Sequence, residues 1–187
     1  MPTATSDAGA PHVVLVGLMG SGKTTLGRVL AARLGRRFVD GDVELERSTG
    51  RTAREIAEAD GVSALVSLEA RVLLDALARS EPTVIAAAAS VVDDARCRRA
   101  LRSPGVVVVR LSARAETLAD RHRSGSHRRS LGTDPVAGFA AQARARERRF
   151  RAVRPAVTIA VDDRCPEEIA GLIVGELGGG RTYGAEV

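Results

Sequence analysis

A short apolar run, His12 to Val16, opens directly into Gly17-Leu-Met-Gly20-Ser21-Gly22-Lys23-Thr24, and helical spacing then continues as far as Gly35. Strand, glycine-rich turn and helix in that order constrain the chain more than any other feature. The pattern GxxxxGK[ST] uses glycines to let the backbone curl with successive N–H groups turned inward, and a helix must begin where the curl ends. Such a cradle, with the positive end of the helix dipole behind it, suits phosphate. Lys23 is expected to bridge the β- and γ-phosphates, and the Thr24 hydroxyl to complete a Mg2+ shell. Gly17, Gly20, Ser21, Gly22 and Thr25 complete the expected nucleotide contacts, so the cofactors implied are ATP and Mg2+.

The same lysine stands out by count. Lysine and arginine together number 28, and Lys23 is the only lysine among them. Arginine can replace lysine on most surfaces, but not where a compact point charge must fit.

Beyond the loop the pattern alternates. Residues 37–39 read as a second short strand, 83–86 and 106–111 are runs rich in β-branched side chains that suit buried parallel strands, 157–161 provides a fifth, and helical patterns separate them. The fold class expected is therefore α/β: a doubly wound, five-stranded parallel sheet flanked by helices. One P-loop domain over 12–177 fits a chain of 187 residues, with a flexible leader over 1–11 and a flexible tail over 178–187. Val43 to Ser80 is helical almost throughout, broken at Gly50 and Gly61, and residues 42–80 read as a substrate-binding insertion. Residues 121–135 are polar and arginine-rich and read as a mobile lid.

Composition narrows the partners. Aromatic residues make up only 2% of the chain, which removes the stacking platforms that single-stranded nucleic acid needs. The net charge of +5 points to small anionic substrates instead, because the arginines cluster in two short stretches. Cys97 and Cys165 stand far apart with no CxxC pair, so neither zinc nor a disulfide framework is expected. With no signal peptide and no run of 18 apolar residues, a cytoplasmic protein is expected, without membrane or nucleic-acid partners. A monomer is expected, with a dimer left open.

Phe38-Val-Asp40-Gly-Asp42 follows the second expected strand, at the edge where open α/β sheets receive ligands. A phosphoryl acceptor needs a carboxylate to orient its hydroxyl and take the proton, and a metal ion gains from another through water. The same pair would also serve as a helix N-terminal cap. Together with the phosphate loop and Glu44-Leu-Glu-Arg-Ser-Thr-Gly50-Arg-Thr-Ala-Arg-Glu-Ile56, these residues resemble the shikimate kinase family, within the nucleoside-monophosphate-kinase-like group, over about residues 13–173. The resemblance implies transfer of the ATP γ-phosphoryl group to an alcohol. It puts Asp40 near Mg2+ and makes Asp42 the group that holds the substrate hydroxyls and acts as base. It also implies lid arginines at the phosphates and adenine, Arg121 and Arg128, with Arg128 joining Lys23 and Asp42 in catalysis. By the same likeness Arg146 contacts the substrate carboxylate and Arg164 lies in an adenine loop before the last helix. A solvated loop and a basic helix face are the plain alternatives for these arginines.

Two departures bear on the substrate. Where the family carries Phe-Arg-x-x-Glu, this chain reads Leu65-Val66-Ser67-Leu68-Glu69, so Val66 stands in place of a carboxylate-binding arginine. Where the family carries Gly-Gly-Gly after the third strand, it reads Ala86-Ala-Ala88-Ala89-Ser90. The added methyls, those of Ala88 and Ala89 above all, are expected to forbid positive φ and to fill space beside the phosphates. Losing one bidentate Arg–carboxylate contact, roughly 1.5–3 kcal/mol, weakens the binding of an acid by about one to two decades. The acceptor expected is therefore a cyclitol or polyol related to shikimate. The alternatives are an ordinary shikimate kinase that tolerates both changes, and a nucleotide-binding regulatory protein without turnover.

Overall fold

The computed structural model describes residues 9–123 and 134–178. Its five strands are β1 (His12–Val16), β2 (Arg37–Asp40), β3 (Thr83–Ala86), β4 (Val106–Ser112) and β5 (Val157–Ala160). Each begins at the residue where the sequence places its start. They form one sheet of order β2-β3-β1-β4-β5 with every neighbouring pair parallel.

The central strand explains the two-faced core. Val13, Val14, Leu15 and Val16 have no exposed surface, as a strand covered on both sides requires. Val14 and Val16 face one cluster, with Ile85 and Val108; Val13 and Leu15 face the other, with Val84 and Val109. The first cluster is closed by α4 (Val62–Leu77), α5 (Ala95–Ala100), α6 (Ala115–Arg123) and α7 (Pro135–Ala152). The second is closed by α1 (Lys23–Leu34) and α8 (Pro166–Gly178). On α1, Leu26 and Leu30 are a helical turn apart and both are buried, each side chain contributing about 1.5–3 kcal/mol of apolar transfer.

Crossovers on opposite faces position the site. The connection from β1 to β2 runs through α1 on one face, and that from β3 to β4 includes α5 on the other. The loops leaving β1 and β3 therefore part above the sheet and open a crevice at the carboxyl ends of the strands.

At the other end of β1, His12 stitches strands together. Its Nδ1 accepts from the Thr83 backbone N–H at 3.2 Å, so the neutral ring carries its proton on Nε2, 3.2 Å from the Arg79 carbonyl.

The helical insertion has a core of its own. Leu45, Ile56, Leu65 and Val72 join α2 (Gly41–Thr49), α3 (Ala53–Ala59) and α4. A capping box starts α3: Thr52 accepts from the Glu55 backbone N–H, and the Glu55 carboxylate accepts from that of Thr52. Two expected boundaries move. Helix α2 starts two residues ahead of Val43 because the Asp40 carboxylate caps it, accepting from the Asp42 N–H at 3.0 Å. Arg121 is not in a loop: α6 continues through it, anchored by the buried Leu118 and Ala119. Most of the expected lid, Arg128 included, lies outside the described residues, as do most of the expected leader and tail. Cys97 and Cys165 are free thiols, the first buried and the second exposed. Among the described residues no helix is long and apolar enough to cross a membrane.

Candidate active site

The loop after β1 is shaped by contacts that a side chain would break. A Cβ on Gly17 would stand 2.4 Å from the Leu111 carbonyl oxygen, on the neighbouring β4. Gly22, with φ 88°, caps α1 in the left-handed region, with no side-chain hydrogen bond to the first turn. The start of α1 thus faces the crevice through backbone alone, as an anion site at a helix N-terminus does. Lys23 reaches back over the loop, with Nζ 2.9 Å from the Gly17 carbonyl and 3.0 Å from that of Leu18. Ser21 is 2% exposed and its Oγ has no hydrogen-bond partner.

A single cavity of about 1080 Å³ runs from this loop to the helical insertion. At the loop end it is lined by Gly20, Ser21, Gly22, Lys23, Thr24 and Thr25. Gly17 does not line it; the residue is buried beneath the loop, where its missing side chain matters. Two arginines stand on the same side. Arg121 donates to the Gly20 carbonyl at 3.3 Å and to the Val161 carbonyl at 3.2 Å, and Arg164 lines the wall just ahead of α8.

Farther along, the wall carries both aspartates, Asp40 and Asp42, and the substituted positions Val66, Ala88 and Ala89. Arg146 also reaches the cavity from α7, and other groups hold it there. Its Nε donates to Asp93 at 3.0 Å and its Nη1 to Gln142 at 3.1 Å. Asp93 takes a second arginine, Arg149, at 3.1 Å, but Arg149 and Arg148 face solvent. Of the arginines on this helix, Arg146 is the one that lines the cavity. Helix α7 is pinned to the sheet by Arg110, which bonds the Glu147 carboxylate at 3.2 and 2.6 Å and lies 5.0 Å above the centre of the Phe150 ring. Those bonds hold the Glu147 carboxyl below the usual carboxylate range, against a smaller opposing effect of burial.

The residues present fit a magnesium–nucleotide rather than a tightly caged ion. Thr24 and Asp40 line one cavity, and among the described residues no group of three His, Cys, Asp or Glu side chains could hold a metal. Mg2+ keeps several waters and takes most of its other ligands from phosphate, so a hydroxyl and a carboxylate beside a phosphate cradle suffice.

Sequence comparison decides the family. The shikimate kinase family model matches residues 19–177. The chain belongs to the shikimate kinase family. It is similar to a shikimate kinase of Symbiobacterium thermophilum, 44% identical over 89% of this chain and 95% of that one. It is also similar to one of Thermobifida fusca, 36% identical over 89% and 95%. Among solved structures it matches a shikimate kinase from Acinetobacter baumannii in complex with shikimate, with a TM-score of 0.86 and 30% identity over 95% of this chain and 98% of that one. A gluconokinase from Sinorhizobium meliloti shares the fold, with a TM-score of 0.60 at 21% identity.

The alanine run keeps to conformations that its methyls allow: no residue from Ala86 to Ala89 has positive φ, and Ala88 sits at φ −60°, ψ 150°. The chain passes from strand through an extended residue into a 3-10 turn (Ala89–Asp93), conformations that any L-residue adopts, so no glycine is required. Beside this run, Ser90 donates a hydrogen bond to Glu69, the last residue of the altered Leu65–Glu69 stretch, so the two departures from the family pattern touch. The cavity also takes in residues that sequence reading passed over. Glu46 follows Asp42 by one helical turn, a usable signal. Arg54, Gln142 and Ser90 carry no local mark, since their partners lie elsewhere in the chain or on another helix.

Proposed function

We propose that this chain transfers the γ-phosphoryl group of ATP to a hydroxyl of shikimate, as its namesake relatives do. The observation that carries the proposal is the continuity of one cavity, with Lys23 on the phosphate loop at one end and Asp42 with Arg146 at the other. The cyclitol or polyol acceptor that Val66 and the alanine run suggested finds no support among the relatives, and neither does a silent regulatory role.

In this mechanism the loop amides and Lys23 hold the phosphates and offset charge on the transferring group. Asp42 accepts the proton of the acceptor hydroxyl as its oxygen bonds to phosphorus and the bond to the leaving ADP breaks. Arg146 orients the acceptor through its carboxylate, held in place by Asp93 and Gln142. Thr24 and Asp40 would hold Mg2+, whose charge would balance that of the phosphates. Arg121 and Arg164 would enclose the nucleotide from the other wall, and Arg128 would add charge from the lid. Orientation and charge, rather than covalent chemistry, do most of the work in such a transfer.

Shikimate-dependent ADP release, measured by a coupled assay alongside quinate and a small polyol panel, tests the proposal. Shikimate should be the preferred acceptor. Lys23→Ala should abolish turnover and nucleotide binding together, whereas Asp42→Asn should keep nucleotide binding and lose at least about a hundredfold in kcat. Nucleotide binding without turnover of shikimate would overturn it.

A further inference from the structure

The acceptor end of the cavity holds a second cation that the family pattern does not mark. Among the described residues, five cationic side chains line the cavity: Lys23, Arg54, Arg121, Arg146 and Arg164. Lys23 lies on the phosphate loop, Arg121 is tied to Gly20 and Val161, and Arg164 adjoins α8, so three belong to the nucleotide end. Arg146 and Arg54 remain for the acceptor. The insertion carries other arginines, but Arg47 and Arg79 pair with Glu44 and Arg51 with Asp60, and neither these nor Arg71 line the cavity. Only Arg54 brings positive charge from the insertion to the wall that Val62, Leu65 and Val66 leave apolar.

We propose that Arg54 is a specificity-determining residue: with Arg146 it holds the acceptor's carboxylate, supplying from α3 the charge that Val66 does not supply from α4. The proposal rests on the assignment of a carboxylic acid as acceptor. The side chain is suited to it. Its Nε bonds Glu58, one helical turn along, at 2.8 Å, and this leaves the Nη1–Nη2 edge to face a carboxylate. The pair is open to water, with side chains 53% and 62% exposed, so it holds the guanidinium loosely enough for reorientation towards a ligand. The capping box at Thr52 fixes the first turn of the helix from which the side chain extends.

Steady-state kinetics and calorimetric binding on the full chain test this, with shikimate and with its neutral analogue carrying hydroxymethyl in place of the carboxylate. Arg54→Ala should raise KM and Kd for shikimate roughly 10- to 50-fold, with kcat and KM for ATP within about twofold. The neutral analogue should bind both proteins alike, Arg54→Lys should keep part of the affinity, and adding Val66→Arg to Arg54→Ala should restore it. Unchanged shikimate affinity in Arg54→Ala, or an equal loss for the neutral analogue, would overturn the role of Arg54. Failure of the unmutated protein to bind or turn over shikimate would instead bring down the acceptor assignment beneath it.

Discussion

Asp40 has two duties, and substitution can part them. Its carboxylate caps α2 through the Asp42 N–H, and it lines the cavity where a magnesium–nucleotide would sit. Asparagine keeps a capping oxygen without the charge; alanine keeps neither. Asp40→Asn should therefore stay within about 0.5 kcal/mol of the original stability while turnover requires more Mg2+. Asp40→Ala should lose about 1 kcal/mol besides. Urea unfolding of both variants, beside a Mg2+ titration of activity, checks the separation; equal destabilisation by the two would mean that the cap contributes little. The buried thiol of Cys97 illustrates a residue with no such second duty. Burial pushes it up to about 11, so it stays a protonated apolar filler at neutral pH.

Among the elements, α5 shows how a short helix is held by one carboxylate. Asp94 caps it, accepting from the Arg96 N–H at 2.7 Å and the Cys97 N–H at 3.2 Å, and it also pairs with the Arg96 guanidinium at 2.8 Å. The Arg96 side chain, then the two amides, lower the Asp94 carboxyl from 3.8 to about 2 despite partial burial. Because the folded state gives up this proton more readily than the unfolded chain, the stabilisation is complete above about pH 4. It disappears as pH falls through about 2. Asp94→Asn, still able to cap, should be less stable than the original protein at pH 7 and should lose the difference between pH 4 and 2. Denaturation midpoints across that window provide the check, and a gap that persists at pH 2 would point to another carboxylate. The same short range explains why elements were legible. The three central strands, β1, β3 and β4, are largely buried runs rich in β-branched residues, and each break in the insertion falls at Gly50 or Gly61. Arg121 was misjudged because a polar, arginine-rich surface hides the two apolar contacts, Leu118 and Ala119, that keep it helical.

At the scale of the molecule, the sheet order and the joining of both cavity ends depend on contacts that no local window contains. The phosphate loop and the Asp40–Asp42 pair are legible because their chemistry demands fixed spacing within a few residues. The clamp on Arg146 spans 53 positions, and the bond between Glu69 and Ser90 spans 21, so neither leaves a trace in spacing. The alanine run was legible as a stretch barred from positive φ, and the backbone there adopts none. The placing of Lys23 on the cavity wall has a practical consequence too. An acylating reagent meets one side-chain amine in the entire polypeptide, and that amine stands in the cradle. Acetic anhydride should label a single side chain, with activity lost in step, and saturating ATP with Mg2+ should slow the labelling at least about tenfold, as peptide mass mapping would reveal. Amine-coupled dyes, resins and crosslinkers, harmless to most enzymes because they scatter over many surface sites, would here act as affinity labels.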